Sequence, residues 1–290
     1  MNWIVIDRQK CNSCGICTEI CLRCFSEKEG IIEGFADETN CNLCGHCIAV
    51  CPQNAVLHHK LNPYEFREIG GGISPTDADA FIRFLKTRRT HRNFLSGEVS
   101  ADVLSRLFGA ASQAPTGSNT QDVQILVIRD RNKIDKLVDM TIQHYRQLIL
   151  RVEKEVEEKV NAGTPVPPDL QWAKRRNRRY AQNIRIWEGG KDPIFRGAPT
   201  ILVFHSTPLS STPKDNCVIA AHTVVLTAMT LGLGSCYMGL FEDTCNHAPA
   251  VAKELHLPEG NRVYSVLGLG YPKHAFLRTV YRKPLAIQWA

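Results

Sequence analysis

Eight cysteines in two runs, Cys11, Cys14, Cys17, Cys21 and then Cys41, Cys44, Cys47, Cys51, are the residues of this chain best suited to chemistry. Each run is spaced C-x2-C-x2-C-x3-C, which supplies four soft thiolates, the donor set that an iron-sulfur core requires. Structural zinc favours paired C-x2-C knuckles, whereas each run here adds a third cysteine at x2 and a fourth at x3. A disulfide framework suits secreted chains, and Met1, Asn2, Trp3 and Ile4 do not open a basic-then-apolar leader. The spacing therefore predicts one-electron chemistry, in a soluble protein of the cytoplasm.

The second run continues into Pro52, and the pattern then resembles the two-cluster 4Fe-4S ferredoxins of bacteria. The resemblance implies that the fourth cysteine of each run crosses to the other cluster. One cluster would take Cys11, Cys14, Cys17 and Cys51, and the other Cys41, Cys44, Cys47 and Cys21. Cys21 is followed by Leu22, not proline; proline shapes the turn and is no ligand, so the departure touches local geometry. Cys24 is expected as a packed thiol, with an alternative-ligand role as the lesser reading. His58 and His59 are expected at the surface.

These ligands must be held by a small unit, because the inorganic cores replace hydrophobic bulk and about 60 residues suffice. Residues 1–60 are read as the ferredoxin-like domain and 81–290 as one larger domain. Residues 61–80 form a linker with Pro63, Gly70, Gly71, Gly72 and Pro75. No stretch approaches the ~20 consecutive apolar residues of a membrane span. Residues 1–60 hold five Lys/Arg against seven Asp/Glu, a balance of −2 in a chain of net +6, which leaves +8 on the rest. Such a body suits anionic cofactors and acidic electron donors, and nothing in it resembles a nucleic-acid module.

In the larger domain Ser100 is placed to cap a helix whose stripe is Val103, Leu104, Leu107, Ala110 and Ala111. Ile125–Ile128 predicts a strand buried on both faces, and Leu137–Val160 a long amphipathic helix. Thr200–His205 and Arg262–Leu269 predict two more buried strands. Between them Cys217–Leu231 is apolar nearly all round, as for a helix in the core or at a subunit interface. Helices and strands do not alternate in a βαβ rhythm, so the fold class is α+β. Cys217, Cys236 and Cys245 lack metal spacing and are expected as buried thiols.

Arg88, Arg89, Thr90 and Arg92 place three guanidiniums and a hydroxyl within five residues, an anion-binding cluster or a solvated basic face. Arg88–Phe94 resembles the arginine-rich FMN motif of the nitroreductase fold. Ala110–Gln121 is similar to that family's next motif, Leu231–Gly239 to its flavin-edge segment, and Gly268–Pro272 with Arg282-Lys283-Pro284 to its closing pattern. The matches occur in family order, and the whole chain resembles a ferredoxin-nitroreductase fusion.

The resemblance implies FMN as cofactor. Arg88 and Thr90, beside Arg89, would hold its phosphate and ribityl chain, and Arg92 would face the N1/O2 edge of the ring. Pro115, Thr116, Gly117 and Asn119 would reach FMN from the partner subunit of a homodimer. Tyr237, Met238 and Gly239 would border N5, and Arg282 would join the phosphate. No catalytic side chain is assigned, because FMN carries the reaction. Lys174–Arg179 is expected as a solvated face of a helical insertion. Trp172, Tyr180 and Trp187 suit pocket and packing equally, and Tyr145 and Phe241 are the better pocket candidates.

The leading expectation is an FMN-dependent oxidoreductase that draws electrons from two 4Fe-4S clusters and reduces a nitroaromatic, a quinone or a similar conjugated acceptor. Its donor would be ferredoxin or NAD(P)H. The alternatives are an NAD(P)H-dependent nitro or flavin reductase with accessory clusters, and a non-catalytic electron-transfer module of a larger complex.

Overall fold

The computed structural model describes residues 2–66 and 77–290. Half of the expected linker, residues 67–76 with Gly70, Gly71, Gly72 and Pro75, lies outside the described residues. The chain divides into two units, Met1–Ala78 with Ser118–Thr120, and Asp79–Gly117 with Gln121–Ala290. Among the described residues no helix is long and apolar enough to cross a membrane.

The first unit is built twice over. Its elements are β1 (Ile4–Ile6), α1 (Ile16–Ile20), β2 (Phe25–Lys28), β3 (Ile31–Gly34), α2 (His46–Ala49) and β4 (Val56–His58). Antiparallel pairs β1–β4 and β2–β3 make two small sheets. In each half the cysteine run wraps the start of a short helix. Ser13 and Gly15 have φ of 54° and 74°, and Leu43 and Gly45 have φ of 57° and 71°. The backbone bonds repeat as well, Cys11 N to Asp7 O at 2.9 Å and Cys41 N to Asp37 O at 3.0 Å. Left-handed residues alternating through a loop turn successive N–H groups toward one concavity, which suits an anionic guest. Ile4, Ile6, Phe25, Ile32 and Val56 form the apolar core around the two runs.

The second unit starts with α3 (Ala78–Thr87) and α4 (Ala101–Ala111), whose Ser100 Oγ accepts from Val103 N at 3.4 Å as the capping reading requires. There follow β5 (Gln124–Ile128), α5 (Arg131–Asn161), α6 (Pro168–Glu188), β6 (Thr200–Ser206), α7 (Pro213–Thr230), β7 (Gly234–Tyr237), α8 (Gly239–His247), α9 (Pro249–Glu254) and β8 (Arg262–Gly270). The four strands form one antiparallel sheet in the order β5-β6-β8-β7. This α+β arrangement is the expected class.

Strand β6 is buried at every position because both faces of the sheet are covered. Its side chains alternate, as the two-residue strand period demands. Ile201 and Val203 join a core with α5, α8 and α9, while Leu202 and Phe204 join one with α4 and α7. Burying one such leucine contributes about 1.5–3 kcal/mol. One expectation needs correction, and one element is new. Strand β5 lies at the sheet edge and is only half-buried, since an apolar run does not reveal whether its second neighbour exists. Strand β7, of four residues, was not foreseen.

Candidate functional site

Strand β7 positions the arginine motif of the second unit. Thr90 bridges Ser235 in parallel, and His91 N donates to Ser235 O at 3.0 Å. Further along, Phe94 bridges Pro272, Leu95 N donates to Tyr271 O at 2.8 Å, and Lys273 N to Asn93 O at 3.0 Å. The motif is thus laced along the sheet's β7 edge. Gly234 permits the approach, because a Cβ there would lie 2.6 Å from His91 Cγ.

At the end of β7, Met238 N donates to Val266 O at 2.8 Å, and Met238 O accepts from Phe241 N and Glu242 N as α8 begins. This junction opens on a cavity of about 600 Å³ walled by Thr90, Arg92, Tyr237, Met238 and Gly239, five of the residues assigned to flavin by resemblance. Arg88 lies close enough to pull the Tyr237 phenol down, against the desolvation that pushes it up to about 12. Burial also raises the Cys236 thiol, with Arg92 and Arg196 opposing it. Arg89 is half-buried; its Nη1 donates to Arg88 O at 2.6 Å, while Nε and Nη2 are buried with no hydrogen-bond partner. A cationic donor pair left open in this way fits an anionic oxygen supplied by a ligand.

Other assigned residues lie elsewhere. Pro115, Thr116, Gly117 and Asn119, on the loop between α4 and β5, are not walls of this cavity. Gly117 is instead tied to α7, its N–H donating to Asn216 Oδ1 at 2.8 Å, and a Cβ there would lie 2.4 Å from Thr212 Oγ1. Arg282 is on an exposed C-terminal tail and is not a wall either.

Helix α6 changes the reading of the insertion. Arg176 and Arg179 line the cavity with Trp172 and Tyr180, so the basic run is not wholly a solvated face. Arg176 stacks over Trp172 and Tyr180 at 5.1 and 5.2 Å, donates through Nε to Tyr180 Oη, and pairs with Asp243 at 2.7 Å. The Trp172, Arg176, Tyr180 spacing of four was the sequence signal for one functional helix face. Tyr145 and Phe241 are corrected in the other direction. Both are fully buried in the core, and Tyr145 backs the cavity by stacking on Tyr180 at 4.3 Å. Trp187 packs on the core and donates to Asp139 Oδ1 at 3.0 Å. Cys217, Cys236 and Cys245 are buried thiols, as expected.

In the first unit the cysteines gather around two hollows. Cys11, Cys14, Cys17 and Cys51 line one, with Pro52. Cys21, Cys41, Cys44 and Cys47 line the other, joined by Cys24. Each hollow thus takes its fourth cysteine from the other run. Among the described residues no group of three or more His, Cys, Asp or Glu is gathered tightly enough for a single metal ion. Thiols lining one hollow are the donor type of an iron-sulfur core. Cys24 is buried and its Sγ lies 3.5 Å from Asn40 O; burial first, then hydrogen bonding and charge from Cys21, push it up to about 12. His58 is not at the surface: it is 8% exposed, with Nε2 3.5 Å from Cys41 Sγ.

Comparison with known proteins agrees with both units. Residues 35–57 match the family model described as the 4Fe-4S binding domain. An NADH dehydrogenase/NAD(P)H nitroreductase, so assigned, from Archaeoglobus fulgidus is 24% identical over 196 residues, 66% of this chain and 85% of that protein. The iodotyrosine deiodinase of Nematostella vectensis is 22% identical over 71% of this chain and 72% of its own. Among solved structures, an FMN-bound nitroreductase from Bacteroides fragilis superposes with a TM-score of 0.53 at 20% identity, over 74% of this chain and all of that one. A BluB-like flavoprotein from Clostridium difficile gives 0.53 at 18%, over 70% and 94%. The antiparallel sheet, the motif laced along β7 and a match of residues 85–271 to the nitroreductase family model together show that this chain belongs to the nitroreductase family.

Proposed function

We propose that this protein is an FMN-dependent oxidoreductase fed by its own iron-sulfur unit, which reduces an electron-poor conjugated acceptor such as a nitroaromatic or quinone. The observation that carries the reading is the convergence of Thr90, Arg92, Tyr237, Met238 and Gly239 on one cavity, beside the open donors of Arg89. When bound, FMN supplies hydride transfer and the exchange between one- and two-electron steps. Arg89, with Arg88 and Thr90, holds its phosphate and ribityl oxygens, and Arg92 sets a positive charge toward the N1/O2 edge, which favours the reduced anion by Coulomb attraction. Tyr237, Met238 and Gly239 line the N5 side. In the first unit, the two cysteine-lined hollows hold two 4Fe-4S clusters with the crossed ligand sets. In this proposal residues 1–60 carry the clusters, 61–80 form the linker, and 81–290 carry the flavin.

A homodimer completes the site, with Pro115, Thr116, Gly117 and Asn119 serving the partner's FMN and Arg282 the phosphate. Apolar side chains left exposed on α3, α7 and the tail, among them Phe81, Ile82, Ile219, Leu285 and Trp289, support it.

The test is turnover by anaerobic protein reconstituted with iron, sulfide and FMN, with reduced ferredoxin as donor and nitrobenzene as acceptor. Reduction of the nitro group to nitroso takes two electrons and two protons and releases one water. Acceptor loss that requires both FMN and the iron-sulfur unit is expected; no acceptor loss under any donor contradicts the reading. A second reading is favoured by the Archaeoglobus fulgidus relative, whose name includes NAD(P)H nitroreductase. NAD(P)H would then reduce the flavin directly, and the clusters would be accessory.

One substitution probes how the fold positions the site. Gly234→Ala forces His91 away through its Cβ and Cγ, at 2.8 and 2.6 Å, so the motif's backbone must shift. FMN affinity should fall by at least about tenfold, or about 1.4 kcal/mol. Iron content should not change. Fluorescence titration of released FMN and an iron assay measure both.

A further inference from the structure

Two of the cavity's arginines remain unexplained by the cofactor assignment. Arg176 is neutralised by Asp243, whereas Arg179 and Arg196 line the same cavity and, among the described residues, have no ion-pair or hydrogen-bond partner. Arg196 is also held in an unusual backbone state, φ 61°. Asp192 stabilises that turn: its Oδ1 accepts from Ile194 N and Phe195 N at 2.9 Å, and its Oδ2 from Gly197 N at 3.0 Å. A left-handed arginine costs about 1 kcal/mol or more and persists where the surroundings over-determine it. Trp172, exposed on the same wall, provides a ring nearby for a flat guest, while Tyr180 is buried between Arg176 and Tyr145 and backs that wall.

We propose that Arg179 and Arg196 select an acceptor carrying a carboxylate on its aromatic or conjugated ring. The proposal rests on the reductase reading and deepens it. Guanidiniums match carboxylates in a planar, two-pronged geometry, and two unpaired cations beside the Trp172 ring recognise charge and ring together. A neutral ring gains only the aromatic share.

The experiment titrates FMN-loaded protein with benzoate and with benzamide by calorimetry. It then compares reoxidation of dithionite-reduced protein by 4-nitrobenzoate and by nitrobenzene. Benzoate should bind at least about tenfold more tightly than benzamide, the worth of one charge-assisted pair. Arg179→Gln and Arg196→Gln should each erase that preference, and Arg179→Lys should keep part of it. Equal binding of the two ligands overturns the proposal, as does a preference that survives both glutamine variants. If the glutamine variants lose NADPH binding while keeping the benzoate preference, the arginines serve a donor phosphate and the proposal fails. Failure of nitrobenzene and 4-nitrobenzoate alike to reoxidise the protein sinks the reductase reading itself; reoxidation by both at equal efficiency sinks only this inference.

A separate observation concerns His58. Lys60 N donates to His58 Nδ1 at 3.1 Å, so Nδ1 is the acceptor and Nε2 carries the hydrogen. That Nε2 faces Cys41 Sγ at 3.5 Å, with Trp3 against the ring at 6.1 Å between centroids. Among the described residues the other hollow has no counterpart: thirty residues earlier stands Lys28, exposed, while Cys51 Sγ accepts a backbone N–H, from Ala55 at 3.3 Å. We infer that His58 is a positioning residue whose N–H···S bond raises the potential of the cluster held through Cys41, setting it apart from its neighbour. Hydrogen bonds to ligand sulfur stabilise the more negative, reduced state.

Potentiometric titration followed by EPR should show His58→Leu lowering one cluster potential and leaving the other, with His58→Gln, which keeps a donor, in between. Unchanged potentials in a fully loaded Leu variant overturn the inference. Should that variant not load, wild-type protein labelled with 15N-histidine decides: a nitrogen coupling to the reduced cluster supports the bond, and its absence overturns it.

Discussion

Replacing Arg89 by alanine is expected to weaken FMN binding by about 100- to 10,000-fold without destabilising the apoprotein. Two donors, Nε and Nη2, are buried without partners. Bonds to a charged group contribute about 1.5–3 kcal/mol each. Two such bonds to a phosphate give about 3–6 kcal/mol, and each 1.4 kcal/mol is tenfold. The apoprotein should behave in the opposite sense. An unpaired buried donor costs folding free energy, so its removal should leave the thermal midpoint unchanged or higher. Arg89→Lys keeps the charge and loses the fork, and should fall between. Fluorescence titration and thermal unfolding of the apoprotein check both signs. A variant that binds FMN normally, or one that loses binding together with stability, would give Arg89 a structural role.

Replacing Cys14 or Cys44 by serine is expected to remove one cluster each and to stop electron delivery from ferredoxin. Both are exposed cysteines on the hollows' walls, so serine in their place creates no cavity in the core. Substitution of mere outer-shell partners of metals costs about 10- to 100-fold in affinity or activity, so loss of a direct thiolate should cost at least about 100-fold. Cys24→Ser should leave both clusters in place, because that side chain is packed in the apolar core with its Sγ turned to Asn40 O at 3.5 Å. Iron and sulfide assays with EPR separate the cases. Loss of a cluster in Cys24→Ser would reassign the ligand set.

The gathering of the two cysteine runs on two hollows was legible because it is written in spacing, and the same spacing recurs thirty residues on. The motif from Arg88 to Phe94 was legible for a similar reason, since one short segment carries all its charges. What escaped depends on tertiary placement. Leu57, between Val56 and His58, is exposed, so an apolar residue faces out while a histidine faces in, against the usual polarity of strand alternation. Arg176 and Arg179 share a run with Lys174, Arg175 and Arg178, and composition does not tell which members of a basic helix meet a cavity. The rings at positions 172 and 180, one turn either side of Arg176, carried that information. Tyr145 and Phe241 were misplaced because large amphipathic or aromatic side chains suit a core as well as a pocket, and here close packing took them.

The central claim is that electrons reach the flavin through the iron-sulfur unit. Its most direct test is anaerobic stopped-flow absorbance of the reconstituted protein, mixed with reduced ferredoxin and separately with NADPH. The account predicts that ferredoxin bleaches the cluster bands before the flavin band, and that flavin reduction disappears in the Cys14→Ser, Cys44→Ser double variant. Flavin reduction by NADPH that is fast and survives in that variant, with ferredoxin ineffective in the wild type, would contradict it.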